Sequence, residues 1–278
     1  MSHCDESAYF TQRTPRIVNA AKLNRAATRR KTGRFLAEGP NCVEGAIRTK
    51  NVIEIYATDA AEQHHEQLLA DARAAGLPVH PINQRAADHL ADTVTTTGLF
   101  ALCHTDRALV AADEIIAAAA SAGSRGLVAV AVDIADPGNA GTIIRMADAL
   151  GAAGVIFAGQ CVDPLGGKVL RSTAGSLFNI PVARHRDTTE VIAALQDHNV
   201  VTLATTMTAE LTLGADELPA APTAWLFGNE AHGLDQKVLG QADHTVAIPI
   251  VGAAESLNLA TAAAMCLWES ARGHTHPL

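Results

Sequence analysis

Leu127-Val128-Ala129-Val130-Ala131-Val132-Asp133-Ile134 is followed almost at once by Asp136-Pro137-Gly138-Asn139-Ala140-Gly141-Thr142-Ile143-Ile144-Arg145. The first string is a continuous apolar run of strand length, as expected of a strand covered on both faces of a parallel sheet. The second opens a helix, expected from Asn139 to Leu150 and ended at Gly151. The alternation continues to the end of the chain. Strands are expected at Gly154–Ala158, Val200–Thr205, Ala224–Gly228 and Thr245–Ile250. Helices are expected at Lys168–Ala174, Thr188–Gln196, Asp235–Leu239 and Leu257–Arg272. Strand–helix alternation of this kind predicts an α/β fold built on a parallel sheet.

Upstream lies a smaller α/β region. Helices are expected from Pro15 to about Arg30 and from Asn41 to Lys50, with a break at Thr32-Gly33. Val52–Tyr56 reads as a short β-branched strand. Ala60–Ala75 reads as a helix stopped by Gly76-Leu77-Pro78, a C-cap followed by proline. Val79–Ile82 and Gly98–His104 return to strand. From Asp106 to Arg125 the composition shifts to an alanine-rich helix and then Ser121-Ala122-Gly123-Ser124. The domain boundary is therefore expected there, with residues 1–105 as the first domain, 106–278 as the second, and about 106–125 as the linker.

The chain has 278 residues, 48% of them hydrophobic but only 4% aromatic, so Ala, Val, Leu and Ile must build the core. No apolar run is long enough to cross a bilayer. The polar start, with Asp5 and Glu6, has no secretory apolar segment, and a soluble cytoplasmic protein is expected. Cys4, Cys42, Cys103, Cys161 and Cys266 are scattered without a CxxC pair, which predicts reduced thiols and neither zinc site nor disulfide framework. His64 and His65 are adjacent, so on a helix they point about 100° apart and cannot form a ligand pair. The His274-Thr275-His276 tail is expected to fray. No metal is called for.

The net charge is −8, which looks wrong for a nucleic-acid binder until its distribution is read. Residues 1–50 hold ten Lys/Arg against four acids, a net +6, which leaves −14 for the remainder. A basic lobe on an acidic body suits one module that docks on phosphates and another that does chemistry.

The glycine fingerprints of dinucleotide and nucleoside-triphosphate sites are absent, despite Gly166-Gly167-Lys168, which disfavours a dinucleotide-dependent enzyme. Pro137–Gly141 can open a helix N-terminus, with Asn139 placed to cap it. Arg145, six residues on, is rotated by about 240° and leaves a different helix face. Phe227-Gly228-Asn229-Glu230-Ala231-His232-Gly233-Leu234 ends a buried strand. Gly228 there would let a ligand approach the backbone closely, and Glu230 leaves the strand into a loop, where catalytic groups commonly sit. Ile248-Pro249 ends another strand, and Ser256 in Ser256-Leu257-Asn258 reads as the cap of the last helix.

These three strings, in this order, resemble the three motifs of the SpoU/TrmH family of RNA 2′-O-ribose methyltransferases, over about residues 125–272. The resemblance implies a SPOUT-type parallel sheet with a C-terminal trefoil knot, homodimers with cofactor sites near the subunit interface, and S-adenosylmethionine as methyl donor. It implies catalytic roles for Arg145, Asn139, Glu230, Ser256 and Asn258, and a cofactor site at Gly228, Ile248 and Leu257, with Thr205 at the end of a further strand. Lys31-Thr32-Gly33-Arg34-Phe35-Leu36-Ala37-Glu38-Gly39-Pro40 resembles the L30e-like substrate-binding domain that precedes many such enzymes. That makes Arg29, Arg30, Lys31 and Arg34 an expected RNA grip, beside Phe35 and Leu36 in the core. Ala260, where the family often has a small hydroxyl residue, and Thr173, where serine is common, depart from the pattern. The substrate implied is structured RNA, with 23S ribosomal RNA ahead of tRNA. A catalytically silent RNA-binding module is the remaining alternative.

Overall fold

The computed structural model describes residues 9–272. Cys4, Asp5, Glu6 and His274-Thr275-His276 lie outside the described residues. In chain order the elements are α1 (Pro15–Ala21), α2 (Ala26–Thr32), β1 (Arg34–Glu38), α3 (Pro40–Arg48), β2 (Val52–Ala57), α4 (Asp59–His64), α5 (Glu66–Ala74), β3 (Val79–Pro81), α6 (Gln84–Leu90) and β4 (Leu99–His104). There follow α7 (Ala112–Ser121), β5 (Leu127–Val132), α8 (Pro137–Ala149), β6 (Gly154–Ala158), α9 (Gly167–Thr173), β7 (Val182–His185), α10 (Thr188–Asp197) and β8 (Val201–Thr205). β9 (Leu211–Thr212), β10 (Thr223–Phe227), α11 (Gln236–Gln241), β11 (His244–Ala247) and α12 (Leu259–Arg272) complete the chain. Among the described residues no helix is long and apolar enough to cross a membrane.

The chain divides into two compact units. The first holds the described residues up to Ala108 together with Leu165–Phe178. Its four-stranded sheet has the order β1-β4-β2-β3, antiparallel except for β2 against β3. One core packs Ile17, Leu23, Leu36, Tyr56, Ile82, Leu90 and Phe100. The helix expected over Pro15–Arg30 is interrupted by a 3₁₀ turn at Lys22–Asn24, where the Asn24 side chain donates to the Leu90 carbonyl. Strand β1 shows no apolar–polar alternation, because Phe35 to Glu38 are all buried.

The returning segment Leu165–Phe178 is built into this unit. Phe178 stacks near Phe35 at 6.3 Å between centroids. It lies so close to α3 that a Cβ on Gly45 would stand 3.0 Å from it. Arg171 reaches the buried Glu38 carboxylate at 3.1 Å, and Thr96 donates to the other oxygen at 2.8 Å. Two partners for one buried carboxylate are what its removal from water demands.

The second unit, Leu109–Pro164 with the residues from Asn179 onward, carries a seven-stranded sheet in the order β7-β6-β5-β10-β8-β11-β9. Every pairing in it is parallel. β5, β6 and β10 are buried throughout, as strands covered on both faces must be. Val128, Val130, Ala224 and Leu226 face a core shared with Ile115, Ile116, Ile192 and Leu195 of α7 and α10. Their alternates face the other side, where α8 and α12 pack on each other and on the sheet. The stretch 106–125 is mostly the ordered helix α7, whose Ile115, Ile116 and Ala119 are buried in this unit.

The strand order contains a switch. The connection from β5 leads through α8 to β6 on one side, and that from β10 leads through α11 to β11 on the other. Between β5 and β10 the loops at the carboxyl ends therefore part, which opens a crevice where such sheets bind ligands.

Candidate active site

Glu230, three residues beyond β10, reaches into that crevice. Its carboxylate accepts hydrogen bonds from the backbone N–H groups of Ala135 at 3.1 Å and Asp136 at 3.0 Å, and from the Asn139 side chain at 3.2 Å. Burial by itself would raise the pKa of this carboxyl. The bonds from its own N–H, from Ala135, Asn139 and Asp136 outweigh it and hold the group below the ordinary glutamate value. The charged form is thus the one the site is built for.

The polarity of this carboxylate orders the rest. An ionised carboxylate only accepts, so Asn139 must present its NH₂ to it. Its Oδ1 then faces Asn258, whose Nδ2 donates at 3.2 Å. The Asn258 Oδ1 is left to accept from the N–H groups of Ala260 at 2.9 Å and Thr261 at 3.3 Å. Asn258 is therefore the cap of α12, and the exposed Ser256 is not. Nor does Asn139 cap α8: Asp136 does, accepting from the Asn139 N–H at 2.8 Å. That leaves the Asn139 amide free for its two side-chain partners.

The three motifs thus meet in one directed chain, Asn258 to Asn139 to Glu230. Arg145 stands apart. It is exposed on α8 and makes no ion pair or hydrogen bond with the described residues, whereas Asn139 on the same helix is buried. Two helical residues six apart and 240° around the axis must part in this way.

Beside the chain is a cavity of about 180 Å³ lined by Val132, Asp133, Asn229, His232, Gly233 and Asp235. Sequence reasoning assigned no role to Asn229 or Asp133. The signal for Asp133 was a polar residue interrupting an apolar run at a strand end.

The expected cofactor residues gather at three neighbouring strand ends. Thr205 ends β8, Gly228 follows β10 and Ile248 follows β11, and these strands are adjacent and parallel. Exposed apolar side chains flank them: Met207, Ile250, Val251 and Leu257. An uncovered apolar rim suits a flat aromatic ligand. The reason for Gly228 differs from the expected one. A Cβ there would lie 2.3 Å from the Gly233 carbonyl carbon and 2.4 Å from the Leu234 nitrogen. The close neighbour is the protein's own turn, closed by the paired backbones of Asn229 and Gly233.

Arg29 does not belong to the basic surface. Arg29 is 5% exposed and donates to the Leu23 carbonyl at 2.7 Å, bracing α2 against the preceding turn. It is spent inside the unit. Arg30, Lys31 and Arg34 are exposed, as is Arg25, and none has an ion-pair partner among the described residues.

Among the described residues no group of three or more His, Cys, Asp and Glu could hold a metal ion. Residues 126–268 match the SpoU rRNA Methylase family, and residues 14–101 match the MRM3-like substrate binding domain. The chain belongs to the SpoU rRNA methylase family. A relative in Bacillus subtilis (strain 168), 23S rRNA (guanosine(2553)-2′-O)-methyltransferase RlmP, is 31% identical over 91% of this chain and 94% of its own length. A crystal structure of AdoMet-bound rRNA methyltransferase from Sinorhizobium meliloti superposes with a TM-score of 0.81 at 28% identity, covering 94% of this chain and 96% of that one. The SpoU methyltransferase AviRb from Streptomyces viridochromogenes, in complex with AdoMet, gives 0.76 at 28% identity, covering 94% and 98%. The α/β fold with its parallel sheet thus matches SpoU methyltransferase structure.

Proposed function

We propose that this protein transfers a methyl group from S-adenosylmethionine to a ribose 2′-hydroxyl of structured RNA, most specifically 23S ribosomal RNA, in the cytoplasm. The observation that carries the reading is the directed chain from Asn258 through Asn139 to Glu230 in a SpoU chain. It joins all three motifs at a switch-point crevice.

Thr205, Gly228, Ile248 and Leu257 would hold the cofactor, with the exposed Ile250 and Val251 available to cover its apolar parts. Bound there, it supplies an electrophilic methyl group. The remaining work falls to the protein. A ribose hydroxyl is a poor nucleophile at neutral pH, so charge developing on its oxygen must be stabilised as the proton leaves. A guanidinium keeps its positive charge at neutral pH and offers several donors. Arg145, unneutralised by any partner among the described residues, serves as that electrostatic stabiliser. Glu230, Asn139 and Asn258 fix the strand-end loops of the crevice, and Ser256 lies on the closing loop before Asn258, exposed to substrate.

RNA affinity comes from the first unit, read as an L30e-like substrate-binding domain, through Arg30, Lys31, Arg34 and Arg25. The second unit is read as a SPOUT domain with a C-terminal trefoil knot. Residues Thr261, Met265 and Trp268 form an exposed stripe on α12, Met265 at 42% and Trp268 at 52%. A second copy of the chain would cover it, giving a homodimer.

The test is direct. Incubate the protein with labelled S-adenosylmethionine and either ribosomal RNA or tRNA, then map 2′-O-methylated nucleotides. Label in ribosomal RNA supports the reading. Label only in tRNA moves the substrate, and no label in either refutes the activity.

A further inference from the structure

Asp133 is an aspartate in left-handed backbone conformation, φ 51°, just past the end of β5. Three contacts hold it there. Its N–H donates to the Ala158 carbonyl at 3.1 Å. Its Oδ1 accepts from the Gln160 N–H at 2.6 Å, so close to Gly159 that a Cβ on that residue would stand 2.3 Å away. Its carbonyl accepts from the Asn229 side chain at 2.8 Å. The first two contacts come from the end of β6, and the third crosses the crevice from the end of β10.

Asn229 is fully committed. Its backbone pairs in both directions with Gly233, at 3.1 and 2.9 Å, and its Oδ1 accepts from Ala231 N–H at 2.9 Å. Only its NH₂ leaves its own turn, and it goes to Asp133. Two and three residues beyond Asp133, the N–H groups of Ala135 and Asp136 hold the carboxylate of Glu230, the residue after Asn229. The two loops therefore clasp reciprocally. One lends an N–H donor to a carbonyl, and receives two N–H donors for a carboxylate.

We propose that Asn229 is a positioning residue for methyl transfer, acting through the Asp133 carbonyl to hold the Ala135 and Asp136 N–H groups against Glu230. This rests on the reading that Glu230 belongs to the active centre. Without the clasp, the hydrogen bonds that tie the 133–136 loop to the β10 side among the described residues are those to Glu230 itself. Asp133 and Ile134 then stay held from the β6 side alone, by Ala158, Gln160 and Val162, and the strained left-handed turn is no longer pulled toward β10, which lets both donors drift from the carboxylate. Asn139 alone would be left to orient the carboxylate.

Asn229→Asp tests this, because it preserves shape and the acceptor for Ala231 but replaces the donor with an oxygen facing the Asp133 carbonyl. Asn229→Ser keeps a short acceptor for the turn and cannot span to Asp133. Steady-state methyl transfer from labelled S-adenosylmethionine to ribosomal RNA should lose tenfold or more in kcat in both variants of the full chain. Cofactor Kd by calorimetry and RNA KM should stay within twofold of wild type, and thermal melts should show a folded protein. If either folded variant keeps kcat within twofold, the clasp does not position Glu230 and the proposal falls. A rise in KM or Kd at constant kcat also overturns it, since the role would then be binding. Absence of methyl transfer by the wild type would instead strike the functional reading beneath it.

Discussion

At the scale of single residues, charge and polarity decide more than proximity. Arg145→Ala should lower turnover about a hundredfold or more, the usual cost of removing a main electrostatic stabiliser. Cofactor affinity by calorimetry should be nearly unchanged, because Arg145 makes no ion pair or hydrogen bond with the described residues that shape the strand ends. Glu230 makes a pH prediction. Its carboxyl is held below the ordinary glutamate value in the folded protein, so its contribution is complete above the unfolded value of about 4.3. That contribution is lost only as pH falls through the lower folded value. The melting temperature of wild type should therefore exceed that of Glu230→Gln at neutral pH, and the gap should close only under more acidic conditions. A gap that widened on acidification would mean the carboxyl is held neutral. The motif residues were legible in the sequence as types, but their partners were not. Asn139 and Ser256 each fit an N-cap locally, and only the folded loops show that Asp136 and Asn258 take those roles.

At the scale of elements, the strands and helices of the second unit were legible because an all-parallel buried sheet leaves long apolar runs. β7 and β9 escaped, being short and forming the two edges of the sheet. In the first unit α6 also escaped, though Asn83 caps it by accepting from Ala86 N–H. The basic element spanning α2 and the start of β1 was legible as charge but not as surface. An arginine rotated about 100° from its exposed neighbour reads the same in sequence as that neighbour. Arg29→Ala should accordingly destabilise the protein without altering the salt dependence of RNA binding. Replacing Arg30, Lys31 and Arg34 by Ala should leave the melting temperature nearly unchanged. If all three meet phosphates, the slope of log affinity against log salt should fall by about two to three units, at roughly 0.7–0.9 per contact. Binding titrations over a salt series read both, and an unaltered slope would place the RNA grip elsewhere.

At the scale of the whole molecule, the units are not consecutive lengths of chain. Leu165–Phe178 lies far along the sequence and packs in the first unit, and no composition shift or linker marks that excursion. Arg171→Ala should expose the dependence, since it strands Glu38, whose side chain is 6% exposed. Breaking a fully buried pair costs about 3–5 kcal/mol, and a loss of roughly 2–3 is expected here because Arg171 is itself a quarter exposed. Chemical denaturation of the full chain measures it. A variant as stable as wild type would show the pair to be idle. The excursion also sets a timetable for synthesis. Domains of a nascent chain commonly fold in the order they leave the ribosome, the first before the second is made. Here the first unit cannot finish until Phe178 has emerged, by which time β5, α8 and β6 are already outside. Those strands still lack their neighbours β7 and β10, which come later in the chain, so the first unit is completed while the second is already part-made, and the two overlap in maturing rather than following in turn.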